Sequence, residues 1–180
     1  DDLDLGQSEV GWSGRRFSQV VLCQGWEVAK SRGFSWLPVD HTQGTVLSVK
    51  ADTGETRRIL NQGCWLMNRA GGVVMAGSTY ETKFVEPHVA DPPAVERLIG
   101  RLNAMVRGGV EGLGSQTAVR PGIKKNKGAI GRHPGHERLV LMNGLGSKGV
   151  LRAPFLARRL VDHLLDGSAL EPEIDVQSNF

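Results

Sequence analysis

The chain has 180 residues and a mass of 19.5 kDa, with 39% hydrophobic and 23% charged residues and a formal net charge of +3. That is length enough for one domain or two small ones around an apolar core, and the composition excludes wholesale disorder. No apolar run approaches the roughly 20 residues that span a bilayer, so no membrane helix is expected. Cys23 and Cys64 lie far apart without a C-x-x-C pattern, which indicates neither a disulfide framework nor a zinc site; they read as reduced thiols of a cytoplasmic chain. Residue 1 is Asp, and no basic-then-apolar leader precedes the first strand, so the sequence reads as processed or as a piece of something longer.

Two departures from average set the questions. Glycine is 24 of 180 residues but scattered, so backbone shape matters more than usual. Between Ala118 and Arg159 stand ten Lys or Arg against one acid, Glu137, while Asp1, Asp2, Asp4 and Glu9 crowd the start; an anionic ligand is expected near the C-terminal third.

In chain order, Phe17–Cys23 is a short β-rich segment ended by Gly25. Segments 44–50, 57–60, 63–67 and 73–76 are short strands separated by Asp52-Thr-Gly54, Asn61-Gln-Gly63 and Ala70-Gly-Gly72. These connections are too brief for crossover helices, and the middle of the chain is expected to be an antiparallel meander. Asp91-Pro-Pro-Ala opens a helix over 92–107, with Val95, Leu98, Ile99, Leu102, Met105 and Val106 on one face and Gly108-Gly109 as its stop. A polar stretch, 112–117, follows, then Ala118–Gly122 and the Lys-rich segment 124–127, expected as a solvated hairpin turn. Arg138–Asn143 is another apolar strand, leading through Gly144–Gly149 into a second helix with Leu156, Leu160, Val161, Leu164 and Leu165 on one side; Gly167 closes it, and the tail from Glu171 carries weak signals. No repeat of 20 to 50 residues is visible.

Gly144-Leu-Gly-Ser-Lys-Gly149 spells G-x-G-x-x-G between a strand and a helix. In that setting the backbone is open to a ligand, and amides at the helix start present partial positive charge. The same glycines also serve a tight turn with no ligand. The segment does not open a dinucleotide-binding domain, which needs a further parallel strand ending in an acid, and too little chain follows Gly167. It fits the last strand and helix of such a domain.

His133-Pro-Gly-His136 holds two imidazoles across a turn, without the third ligand that a metal centre needs. The serines lack a G-x-S-x-G elbow, which disfavours a serine hydrolase. Trp12, Trp26, Trp36 and Trp65 do not interleave with the basic residues as a stacking platform would, which disfavours nucleic acid as the ligand.

Gln24-Gly-Trp26 after an apolar strand, Gly77-Ser-Thr-Tyr-Glu81, Val119-Arg-Pro-Gly122 with Ile130-Gly-Arg-His-Pro134, and Asn143–Gly149 leading to Ala153-Pro154 stand in an order that resembles the D-amino-acid-oxidase-like FAD-dependent oxidoreductases. The glycine oxidase and sarcosine oxidase group is the nearest comparison. The resemblance covers nearly the whole chain but only the C-terminal half of such a protein, with 120–154 its specific part.

The resemblance implies a fold of mixed α+β and α/β character: an antiparallel-sheet substrate domain plus the closing strand and helix of an FAD-binding domain. Residues 1–35 and 118–180 would belong to the FAD domain and 36–117, with helix 92–107, to the substrate domain. It implies FAD as cofactor, lined by Cys23, Gly25, Gly144, Leu145, Gly146, Ser147, Lys148, Gly149 and Val150, with the helix start facing the flavin pyrimidine edge where charge develops on reduction. Arg120 matches the position that holds a substrate carboxylate, a task suited to a guanidinium fork. Tyr80, the only tyrosine, would face the substrate or else sit at a core edge.

The implied activity is oxidation of the C–N bond of an amino acid or related small-molecule amine, with the missing N-terminal FAD-binding region as necessary partner. The dinucleotide fingerprint of the family's N-terminal half is absent here, and the glycine turn carries Ser147 and Lys148 where glycine oxidase has a second arginine. Two other readings remain open: a tRNA-modifying relative of the same fold whose basic stretch contacts phosphates, and a basic interaction module without cofactor.

Overall fold

The computed structural model describes residues 3–6, 9–54, 57–124 and 128–178. The charged start at Asp1 and Asp2 and residues 125–127 of the Lys-rich turn lie outside them. The elements are β1 (Leu3–Leu5), β2 (Val10–Trp12), β3 (Arg15–Phe17), β4 (Val20–Leu22), β5 (Thr42–Asp52), β6 (Leu60–Asn61), β7 (Trp65–Asn68), β8 (Val74–Gly77), α1 (Pro92–Asn103), β9 (Arg107–Arg120), β10 (Ala129–His133), β11 (His136–Asn143) and α2 (Gly149–Asp166). The mixed α+β class expected from the sequence is the class observed. The chain divides into two units, one built from residues 1–41 and 120–180, the other from 42–119.

The unit of residues 42–119 is a five-stranded sheet, ordered β6-β7-β8-β5-β9, with α1 against it. The expected simple meander holds only for β6, β7 and β8: β5 precedes them in sequence yet pairs antiparallel with β8, register Leu47↔Ala76 and Val49↔Val74. Alternation explains the choice, since Leu47, Val49, Leu66, Val74 and Ala76 then share one buried core with Leu98 and Leu102. The polar stretch 112–117 lies within β9. Its glycines and polar residues carry little strand propensity; pairing with β5 imposes the extended form, as the Thr45–Thr117 hydroxyl contact of 2.8 Å and the Lys50–Glu111 ion pair of 3.4 Å show.

Asp91 caps α1, its carboxylate accepting from the Ala94 amide at 3.1 Å, and prolines occupy the first two helical positions. The helix stops at Asn103, short of the expected 107, because the Met105 amide turns back onto the Leu102 carbonyl. Met105 and Val106 still reach the core, which is why they fit the helical periodicity; the Cys64 thiol donates to the Met105 sulfur at 3.3 Å.

In the other unit, β1, β2 and β3 form an antiparallel ribbon, and a second sheet runs β10-β11-β4. The expected single segment 17–23 is split between the two, β3 ending at Phe17 and β4 starting at Val20. β4 pairs parallel with β11, Leu139↔Val20 through Leu141↔Leu22. The weakly patterned tail also docks: the amides of Ile130 and Val176 bond the carbonyls of Ile174 and Ile130, at 2.8 and 2.9 Å, and Val176 is fully buried. α2 buries Leu156 and Leu160 but leaves Val161 and Leu165 exposed, so the apolar side assigned from sequence is divided between core and surface.

At the β10–β11 turn, His133 packs edge-on to Phe34, with centroids 5.2 Å apart, and lies 5.1 Å from His136. Its Nδ1 accepts the Gly135 amide at 3.0 Å. Burial and the neighbouring His136 hold this imidazole below its ordinary pKa, against an opposing hydrogen bond with the Gly33 backbone. Because the folded value lies below the unfolded one, the stability it contributes is complete above the ordinary imidazole value of about 6.5 and is lost as pH falls through the folded value. We expect chemical denaturation of the chain to show falling stability below about pH 6.5, and His133→Phe to flatten part of that slope; an unchanged slope would exclude His133 as a source.

Candidate functional site

Parallel strands place their carboxyl ends side by side, and in open α/β sheets ligands bind there. β4 and β11 are such a pair, and one side chain ties their exits together. Asn143, at the end of β11 and 2% exposed, donates from Nδ2 to the Gly25 carbonyl at 2.9 Å and accepts the Gly144 amide on Oδ1 at 2.7 Å. An amide side chain does both at once, whereas an ionised carboxylate only accepts. The Cys23–Gly25 exit and the Gly144–Gly149 turn are thereby brought together, although Asn143 itself was not singled out in the sequence as a site residue.

A third segment is stitched alongside. The Gly146 amide bonds the Pro121 carbonyl at 2.8 Å, Gly122 bridges Leu145, and the Asp40 amide bonds the Gly122 carbonyl at 2.8 Å. A Cβ at Gly122 would collide with the Asp40 carbonyl, so only glycine admits this approach. Arg120, half-buried at the end of β9, immediately precedes Pro121, whose carbonyl bonds the glycine turn.

The turn itself is closed at one end and open at the other. Gly144 has φ +73°, and a Cβ there would meet the Ile123 side chain at 2.8 Å, so the tight strand-to-helix turn requires glycine at this position. Beyond it, a 3-10 turn of Gly146–Lys148 lies within the glycine segment, and α2 begins at Gly149 as the sequence reading expects. Ser147 and Lys148 are exposed, and no side chain caps the helix start. Val150 and Leu151 are 91% and 80% exposed, a large apolar surface at the very end where backbone amides lack intrahelical acceptors. Cys23 is exposed at the other exit; partial desolvation pushes its thiol pKa up, which keeps it protonated and unsuited to nucleophilic chemistry.

Tyr80 belongs to the other unit. It is 61% exposed and lines a cleft of about 240 Å³ with Ser78, Thr79, Arg97 and Arg101. Among the described residues no group of three or more His, Cys, Asp or Glu is placed to hold a metal ion, and no helix is long and apolar enough to cross a membrane.

The paired parallel-strand exits belong to the unit of residues 1–41 and 120–180, and the antiparallel sheet to the other. Residues 2–163 match the FAD dependent oxidoreductase (DAO) family, and the chain belongs to it. Its fold is shared with glycine oxidase from Geobacillus kaustophilus, at TM-score 0.73 and 21% identity, covering 94% of this chain and 48% of that one. Iminodiacetate oxidase from Chelativorans sp. BNC1 gives TM-score 0.76 and 19% identity, with 96% and 50% covered. L-proline dehydrogenase from P. horikoshii gives 0.70 and 12%, with 94% and 50% covered. The chain thus spans about half the length of the solved structures it matches.

If the Asn143 clamp sets the two exits, Asn143→Ala leaves buried amide and carbonyl groups unpaired and is expected to cost about 2–4 kcal/mol in denaturant unfolding. Asn143→Asp should recover little of it, since a carboxylate cannot donate to the Gly25 carbonyl. Gly122→Ala is expected to destabilise by more than about 1 kcal/mol, because the obstructing atom is backbone.

Proposed function

We propose that this chain forms the C-terminal half of an FAD-dependent oxidoreductase that oxidises the C–N bond of an amino acid or related amine. The observation that carries the reading is the open helix start of α2, set beside the β4 exit by Asn143, in a chain of this family. The residues present suit the cofactor: Gly144–Val150 supply a turn whose far end is exposed and uncapped, and Cys23 and Gly25 supply the facing strand exit. When bound, FAD supplies the two-electron acceptor for the hydride released from the amine carbon.

The chain's own residues then have separable tasks. Amides at the start of α2 face an electron-rich ligand edge and stabilise charge there without reorganising. Arg120 anchors a substrate carboxylate with two parallel N–H donors. The three relatives named above act, by their names, on glycine, iminodiacetate and proline, each an amine bearing a carboxylate, and this is the chemistry a guanidinium recognises. A neutral amine needs no protein base before hydride loss, so no side chain is assigned that role. Tyr80 is proposed as a further substrate contact.

The necessary partner is an N-terminal FAD-binding region, which the relatives' greater length supports. Two surfaces of residues 1–41 and 120–180 agree with it. β4 lies at the end of its sheet, flanked by an apolar groove that includes Trp12, Phe17 and Val21. Val150, Leu151, Phe155 and Leu165 of α2 are exposed together. In the polypeptide that joins both halves, Arg120→Leu should raise KM for a carboxylate-bearing amine by about two orders of magnitude, with a smaller change for an amine lacking the carboxylate. Equal KM values for wild type and variant would remove Arg120 from that role.

A further inference from the structure

Native structures leave few buried polar atoms without a partner, and those that remain call for an explanation. Among the described residues there are three: Oε1 of Gln24 and both ring nitrogens of His41. Neither residue takes part in the clamp or in the glycine turn, yet both belong to the same group of loops. Gln24 directly precedes Gly25, whose carbonyl Asn143 holds. The His41 ring faces the Trp26 backbone, the residue after Gly25, which pulls its pKa up, and follows Asp40, whose amide is bonded to Gly122. Gln24 thus adjoins the exit of β4, where the cofactor is proposed to bind, and His41 adjoins Trp26, two residues further on.

Their chemistry restricts what can satisfy them. Burial pushes the His41 pKa down, more strongly than the Trp26 backbone and Asp40 pull it up, so the ring is neutral, with one donor and one acceptor nitrogen. With Gln24 Oε1 the set holds two acceptors and one donor. An oxyanion only accepts; it would satisfy the single donor and leave both acceptors facing negative charge. A hydroxyl both donates and accepts, and a chain of hydroxyls can answer all three atoms.

We propose that His41 and Gln24 form a hydrogen-bonding subsite for a hydroxyl-bearing segment of the bound flavin cofactor, of the ribityl type, rather than for its phosphates. The assignment rests on the flavin reading above and is tested apart from activity. In the polypeptide that joins both halves, FAD and riboflavin are each titrated while quenching of flavin fluorescence is followed, for wild type, His41→Ala, Gln24→Ala and the shape-preserving His41→Phe and Gln24→Leu. We expect each polar-to-apolar change to weaken both ligands by about tenfold, with the melting temperature of the ligand-free protein unchanged or raised, since an unsatisfied polar group has been removed.

Riboflavin carries the hydroxyl chain without phosphate, so a loss confined to FAD would overturn the hydroxyl assignment. Affinities within twofold of wild type in the Phe and Leu variants would overturn the subsite altogether while leaving the flavin reading intact. Failure of the wild type to bind either flavin would overturn that reading, and this assignment with it.

Discussion

One buried amide governs the site. Asn143 ends a strand, begins a glycine turn and reaches across to the exit of the neighbouring parallel strand, using its donor and its acceptor in opposite directions. Parallel pairing aligns strand ends but does not by itself fix what the chain does after leaving them; two hydrogen bonds from a single side chain in a water-free setting do. The loops that follow inherit their positions from that contact, and the segments at Pro121–Gly122 and Asp40 are added to it by further backbone bonds. The consequence is that an Arg at 120, an exposed helix start at 150 and a strand exit at 23–25 are arranged on one scaffold built from two stretches of chain separated by a whole intervening sheet.

Much of this was legible from the sequence where a local rule operates. Asp91 and the two prolines announce α1, and the alternation of Leu47, Val49, Val74 and Ala76 announces strands. What resisted reading was decided by partners distant in sequence. β9 contains Gly108, Gly109, Gly112 and Gly114 and looks like a loop by propensity; its strand form is borrowed from β5. The place of β5 beside β8 follows from burial shared with α1, which no short-range signal carries. The tail at Ile174–Val176 has two apolar residues and gains order from β10 and from the cores that bury them. In the site, the glycines were visible but the role of Gly144 was not, because the Ile123 side chain that forbids a Cβ lies 21 positions away. Asn143 was visible only as part of a motif, and His41 and Gln24 gave no signal at all, since being unpaired is a property of surroundings and not of residue type.

The distribution of apolar surface is consistent with the half-length match. A helix that buries Leu156 and Leu160 while exposing Val150, Leu151, Phe155 and Leu165 has two apolar faces where a surface helix ordinarily has one. An edge strand in a parallel pairing is likewise unusual as a boundary, because parallel sheets are normally covered on both sides and lack the charge and prolines that guard natural edges. Both features lie in the unit of residues 1–41 and 120–180. The five-stranded unit has its α1 against the sheet and a long outer strand, β9, that is polar and mostly exposed, as an edge facing water should be.

These considerations divide the labour between the two units in physical terms. The antiparallel unit assembles from contiguous chain, so its sheet and helix cap can be specified by local pattern and short connections. The other unit must wait for Arg120 to return from that sheet before β10, β11 and α2 can meet β4, and it leaves Val150, Leu151, Phe155 and Leu165 of α2 exposed. The proposed cofactor site would draw on several backbone segments that are distant in sequence. The unpaired side-chain atoms of Gln24 and His41 fit the proposed subsite: a group left unsatisfied within one part of a fold is tolerable where binding would complete it.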